Sequence, residues 1–509
     1  MKSKLSLLLA IIICITAFSG CSNNGNDAGD KETLTVATSG DAISLDPVST
    51  NDNQSSNVMS QIYEGLVEIG EDNKPKPLLA EKIDQKDDVT YTIHLKKNVK
   101  FHNGEEMKAN DVVFSLKRAV DAPNVKHLFN SIDKENVKAI DDYTVEMKLK
   151  EPYAGIIYSL CHPGAFICNE KAVKEGGDNY KMNPVGTGSV KFVSWIKADS
   201  VVMERFDDYH GEKTQYKTLK FRVIPEPTNR LVELESGGVD ISYDIAPNDI
   251  SKVTENTNLK LVRGQDYGTT YLGFNCQKKP FDNPKVREAI SYAVDMEGII
   301  KAVFLGVGKT ATSPMPQTLK FSVADQIKPK TRDVNKAKQL LKEAEFEKGF
   351  KTSLSTNEKK ERIDMATAIK EQLAEVGIDC SINVLEWSAF NDLLKNGKQD
   401  MFEIAWIADT PDPDSFMFPC FHSSAAGEGG NYCYLKDQEM DKLLEDAKKE
   451  NDEAKRAELY KKAQQHAIDI SAWVPEYNGE LLVGHKKEIQ NFKVSPFGWY
   501  KLQLVKKAE

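Results

Sequence analysis

The chain has 509 residues, 40% hydrophobic and 28% charged, a balance ordinary for a soluble protein and enough for two or three domains with full cores. Its formal charge is −10 and it carries no basic block, which argues against nucleic acid as a partner. No Gly-x-Ser-x-Gly elbow, His-Glu-x-x-His or zinc-type Cys/His spacing is present, so neither an enzyme, a metal site nor a cofactor is expected.

The N-terminus opens on Lys2 and Lys4, and 7–17 is apolar apart from Thr16. That run is too short to span a bilayer, so residues 1–20 read as a signal peptide. Phe18-Ser19-Gly20-Cys21 resembles the bacterial lipoprotein processing box, which implies that Cys21 becomes the lipidated N-terminus. Residues 21–32 are polar and read as a tether. No later segment reaches the ~18 uncharged apolar residues of a membrane helix. The expectation is a soluble body, lipid-anchored to the extracellular face of the cell membrane.

Alternation over 33–37 predicts a strand, followed by a turn at 38–41. Residues 58–64 read as a helix ending at Gly65, and 90–95 as a strand running into a turn at 96–104. Asn110-Asp111 caps a helix through Val120, and 143–149 alternates as a strand. Pro184-Val-Gly-Thr-Gly188 is a glycine turn that would let backbone approach a partner strand. It lacks the Lys-Ser/Thr and helix of a phosphate loop. Strands at 201–205 and 218–224, a helix at 227–236 and a strand at 239–243 suggest an α/β crossover unit, with 265–268 a candidate linker. A long helix is predicted at 285–305, an Asp333-capped helix to 345, and a helix at 365–376 before a strand at 380–384. Residues 437–470 read as two charged helices on the outside.

Residues 401–407 are apolar apart from Glu403 and read as a buried strand. Asp409-Thr-Pro-Asp-Pro-Asp414 then breaks the run, its prolines stiffening a turn. Two readings stand open on these residues. Asp409 and Trp406 grip a cation beside an apolar body, or Trp406 is core and the aspartates cap a helix starting near Ser415. Cys420 and Cys433 flank the loop that follows; outside a cell they are either bridged or two free thiols, and Cys161 and Cys168 pose the same choice.

Tyr91-Thr-Ile-His-Leu-Lys-Lys-Asn-Val-Lys-Phe-His-Asn-Gly104 with Ala109-Asn-Asp-Val-Val-Phe-Ser115 resembles the signature region of family 5 extracellular solute-binding proteins, the peptide-binding components of ABC importers. The resemblance continues at Ser44–Pro47, 62–66, 183–192, 221–225, 271–275, 281–295 and 406–416, in order along nearly the whole mature chain.

The resemblance implies an α/β protein of two periplasmic-binding-protein-like lobes about a cleft and hinge, with an extra inserted domain. Lobe I maps to 33–78, 184–267 and 477–509, the insertion to 79–183 and lobe II to 268–476, with hinges at 265–268 and 473–483. Asp409 matches the family's ammonium-binding aspartate, and Trp406 and Trp387 its pocket tryptophans. Ala405 and Ile407 would offer backbone to a peptide, with Ser39, Gly40 and Asn275 as further contacts. The implied function is capture of peptides for membrane permease subunits by a monomer. Residues 355–360 lack the arginine that dipeptide-type members place there, which favours oligopeptides over strict dipeptides. A metal chelate, sugar or small cation is the alternative solute, and a sensory or adhesion role would share the fold.

Overall fold

A computed structural model describes residues 32–328 and 330–508. The signal peptide, Cys21 and the tether through Lys31 lie outside the described residues. Among those described, no helix is long and apolar enough to cross a membrane.

The chain is a mixed α/β protein built on two large sheets. The first has seven strands in the order Leu259–Gln265, Glu480–Lys486, Ile241–Ser242, Thr33–Thr38, Thr218–Val223, Ser200–Arg205 and Val190–Ile196. Thr33–Thr38 is parallel to both neighbours, as the crossover through the helix Pro227–Ser236 requires. The second has six strands in the order Lys309–Thr310, Trp473–Asn478, Gly268–Phe274, Met401–Ile407, Phe350–Asn357 and Ile378–Leu385. A smaller body is an antiparallel sheet of Ala80–Gln85, Thr90–Leu95, Thr144–Leu149 and Ile132–Asp141, with the helix Ala109–Asp121 over one face and a core that includes Phe101, Leu116 and Phe129.

The two large sheets are joined where the chain leaves Leu259–Gln265 for Gly268–Phe274, and where it returns from Trp473–Asn478 to Glu480–Lys486. The crossings touch, since Asp266 N–H donates to the Gly479 carbonyl at 3.2 Å. A Cβ on Gly479 would lie 2.3 Å from the Asp266 carboxylate, so a larger residue there would have to turn that side chain aside.

Several predicted elements shift for identifiable reasons. The first helix is Asn53–Ile62, starting five residues before 58. Its buried face includes Ser55, Ser56, Asn57 and Gln61, and Asn57 and Gln61 donate to the carbonyls of Gly498 and Tyr500. The glycine turn at 184–188 packs on the end of that helix rather than on a strand: Gly188 N–H satisfies the Ile62 carbonyl at 2.8 Å, and a Cβ on Gly186 would meet that oxygen at 2.2 Å. The long helix at 285–305 is two, Pro284–Ala293 and Met296–Phe304, the second capped by Asp295. The helix at 365–376 begins earlier, as Lys360–Ala374. The strand Phe350–Asn357, rich in Ser and Thr, is an addition to the predicted elements. The two outer helices are Gln438–Lys449 and Glu453–Asp469, capped by Asp437 and Asp452.

Candidate functional site

Three strands of the second sheet, 350–357, 378–385 and 401–407, run the same way and end on one edge. Open α/β sheets place ligands outside the carboxyl ends of such strands. Met401–Ile407 owes its central place to burial, which is complete from Met401 to Ile404. It pairs along its whole length with Gly268–Phe274, but with Phe350–Asn357 only from Leu354↔Met401 to Ser355↔Phe402. Ala408 N–H donates to the Tyr267 carbonyl at 3.1 Å. Antiparallel alternation therefore turns the even-numbered residues to the 268–274 strand and the backbone of Ala405 and Ile407 the other way, past the end of the 350–357 register. The Ile407 side chain is 49% exposed at that edge.

Asp409 follows, its side chain 24% exposed. It draws partners from two other parts of the molecule. Asn51 Nδ2, just before the helix 53–62, donates to Oδ1 at 3.2 Å, and His127 Nε2, from the short helix Lys126–Phe129 of the smaller body, lies 3.2 Å from Oδ2. Burial acts to raise the Asp409 carboxyl, but the His127 hydrogen bond, the nearby His162 and Asn51 outweigh it, and the group is held below the usual carboxylate range. His162 is buried and pushed down to about 4, so it stays neutral at ordinary pH. Asn51, His127 and His162 carry no signal in the sequence; they lie in unpatterned segments and meet Asp409 only through the fold.

The other two aspartates of the turn have different work. Asp412 is fully buried and takes a bidentate pair from Arg456, Nη1 to Oδ2 at 2.5 Å and Nη2 to Oδ1 at 2.8 Å. Asp414 is buried beside it, and burial together with the Asp412 charge pushes it up to about 6. Trp406 is half-buried; its Nε1–H donates to the Ser415 carbonyl at 3.3 Å, and its ring lies so close over Gly430 that a Cβ there would meet it at 2.7 Å. The tryptophan is thus braced against the turn and the following loop.

Trp387 begins the helix Trp387–Lys395 directly beyond the strand Ile378–Leu385 and is 48% exposed. Ser39 and Gly40 leave the first strand of the first sheet, where Ser39 Oγ–H donates to Asp244 and accepts from Gln54 Nε2–H. Asn275 is placed elsewhere. It lies past Phe274, at the end of its strand opposite Gly268, and its buried amide donates to the carbonyls of Gly397 and Gln399. At ~3.3 Å per residue that is roughly 20 Å from the Ile407 edge, so Asn275 is a staple of the 397–399 turn and not a site residue. Cys420 and Cys433 are buried free thiols, as are Cys168 and Cys380, so the 420–433 bridge is not formed; both sulfurs belong to the apolar core behind the turn, and burial raises each thiol.

Below the same edge lies a buried charged group. Glu403 and Glu476 are fully buried and none of their four carboxylate oxygens has a hydrogen-bond partner; Thr356 Oγ1 and Arg362 Nη1 are likewise unpartnered. Burial pushes Glu403 up to about 8 against the attraction of Arg362, and raises Glu476 further, with Glu403 adding to it. The folded state therefore holds a proton that the unfolded chain releases near the ordinary carboxyl value. Its contribution to stability is complete below pH ~4.5 and is lost as pH rises from there through about 8. Glu403→Gln is expected to flatten this decline. Urea unfolding at pH 5 and pH 8.5 reads it; an identical pH slope in the variant would exclude Glu403 as its source.

A sequence model of the bacterial extracellular solute-binding proteins, family 5 Middle, matches residues 74–428. The chain is 30% identical over 501 residues to the glutathione-binding protein GsiB of Escherichia coli (strain K12), covering 96% of each. It is 32% identical over 460 residues to the dipeptide-binding protein of the same organism, covering 84% of this chain and 85% of that protein. Among solved structures it is similar to the periplasmic binding protein DppA from Helicobacter pylori in complex with peptide STSA, at 29% identity and TM-score 0.79 over 94% of this chain and 98% of that one.

Proposed function

The chain belongs to the family 5 bacterial extracellular solute-binding proteins of ABC importers, and on that premise we propose that it captures peptides by their free amino end and delivers them to the permease. The observation that carries this reading is the edge built by Asp409 with the outward backbone of Ala405 and Ile407. A peptide needs a carboxylate for its α-ammonium, because an unpaired buried charge costs several kcal/mol. It also needs backbone donors and acceptors, which a strand edge supplies. Trp387 and Trp406 form apolar walls, and Ser39 and Gly40 face the ligand from the first lobe. The two relatives named for glutathione and dipeptides bind solutes that share a free α-ammonium, which supports Asp409 as the common anchor.

Peptides longer than two residues fit best. Residues 355–360 hold no arginine, and the first one in this stretch is Arg362. The mature protein acts as a monomer, held to the outer face of the membrane by lipid on Cys21.

Thermal unfolding of the chain without residues 1–21, with a pool of free-amino peptides of two to six residues, tests the reading. A peptide at 100 times its dissociation constant adds about 2.7 kcal/mol of stability. The rise is expected to vanish when the pool is N-acetylated, and no rise with the free pool would move the assignment to a non-peptide solute.

A further inference from the structure

Asp409 follows a strand of the second large sheet, Asn51 precedes the helix 53–62 and His127 belongs to the smaller body, so one carboxylate ties three parts of the molecule together. Away from this point the smaller body meets the second lobe through Ala154 N–H to the Lys448 carbonyl at 3.0 Å, Lys448 to Glu151 at 3.8 Å and Asn451 to Asp88 at 3.2 Å. Tyr153 of the smaller body is also buried against Asp414 and Lys448 of the second lobe. The His127–Asp409 contact sits at the proposed ligand edge itself.

We propose that His127 competes with the ligand's ammonium for Asp409, and so sets how strongly an amino end is held and makes that grip weaken as the imidazole becomes charged. The proposal rests on Asp409 being the ammonium's partner. The carboxylate has two oxygens. Asn51 takes one by an uncharged hydrogen bond, and His127 Nε2 stands 3.2 Å from the other, where a cation gains most. A neutral imidazole gives up that position at the cost of one hydrogen bond. An imidazolium is a full cation, and displacing it exchanges one ion pair for another. The His127 side chain is 51% exposed, so it is free to swing into water.

The groups that face His127 separate its titration from theirs. Asp409 is held below the usual carboxylate range and is ionised above pH 5, and His162, with Nδ1 accepting from Gly164 N–H, is neutral. Asn51 carries no charge, and Lys126, beside His127 in the helix, is exposed. Asp414 in the same turn, pushed up to about 6, and the buried Glu403, pushed up to about 8, also titrate in or across the window from pH 5.5 to 7.5 but remain in a His127 variant, so only the part of a pH effect that is lost with His127 belongs to it.

If ligand entry requires a neutral His127, the half-saturating peptide concentration rises severalfold from pH 7.5 to pH 5.5. The free-amino peptide pool supplies the probe, with thermal shift as the readout at both values. Wild type is expected to show the rise, and His127→Gln less than a twofold one. A flat wild-type response, or the same rise in His127→Gln, overturns the proposal. Asp409→Asn at pH 7.5 tests the underlying reading separately: undiminished pool binding there removes Asp409 from the site, whatever His127 does. If the pool binds at neither pH, proton NMR titration of His127 still decides, because an unchanged His127 titration in Asp409→Asn would mean that imidazole and carboxylate do not interact.

Discussion

Arg456→Ala is expected to destabilise the protein by about 3–5 kcal/mol, the cost of leaving one partner of a buried ion pair alone. Asp412 is fully buried and Arg456 nearly so, and the pair is bidentate at 2.5 and 2.8 Å. Arg456 Nε–H also donates to the Ala447 carbonyl at 2.9 Å, so the guanidinium locks the 409–414 turn to both outer helices. Removing it strands the Asp412 charge next to Asp414, which the Asp412 charge already pushes upward. A matched apolar pair behaves differently, because it strands no charge. Asp412→Leu with Arg456→Met is therefore expected to lose less than Arg456→Ala alone. Urea unfolding of the three proteins at pH 7 measures the difference. A loss below about 1 kcal/mol for the single variant would mean that the pair does not hold the turn.

Much of the frame is legible along the chain, and the reasons are local. The run 401–407 announces a buried strand because its apolar residues are contiguous, and the capping Asp333 marks a helix start through its own side chain. What escapes depends on distance in sequence. Asp412 looks equivalent to Asp409, and what separates them is a partner 44 residues away for one and partners 358 and 282 residues away for the other. Glu403 is visible as the flaw in an apolar run, but Arg362 and Glu476 come from a helix and a strand that only the sheet order brings beside it. The early turns of the helix Asn53–Ile62 hide because their buried face is polar and is satisfied by the distant 498–502 backbone. Asn275 misleads in the opposite sense. It ends a strand that does begin at the site edge, and seven residues of extension carry it away.

Asp409→Asn carries the largest expected effect on function. If the α-ammonium of a peptide pairs with this carboxylate in a closed cleft, losing the charge costs about 3–5 kcal/mol of binding. At 1.4 kcal/mol per decade that is roughly a hundred to a few thousand-fold in dissociation constant. Asparagine keeps the shape and an amide oxygen for Asn51, so the turn, which depends on the Asp412–Arg456 pair, stays in place. The variant thus separates charge from architecture. N-acetylated peptides supply the other half of the cycle: they present no ammonium, and wild type and Asp409→Asn are expected to bind them equally weakly. The stability of the unliganded protein should move far less than its affinity, since the partners of Asp409 there are a half-exposed His127 and an uncharged Asn51. Titration calorimetry of one free-amino peptide and its acetylated twin against both proteins gives all four numbers. Equal affinity of wild type and variant for the free peptide would place the ammonium elsewhere, and Asp409 would then be what its partners make it, a clasp between the two lobes and the inserted body.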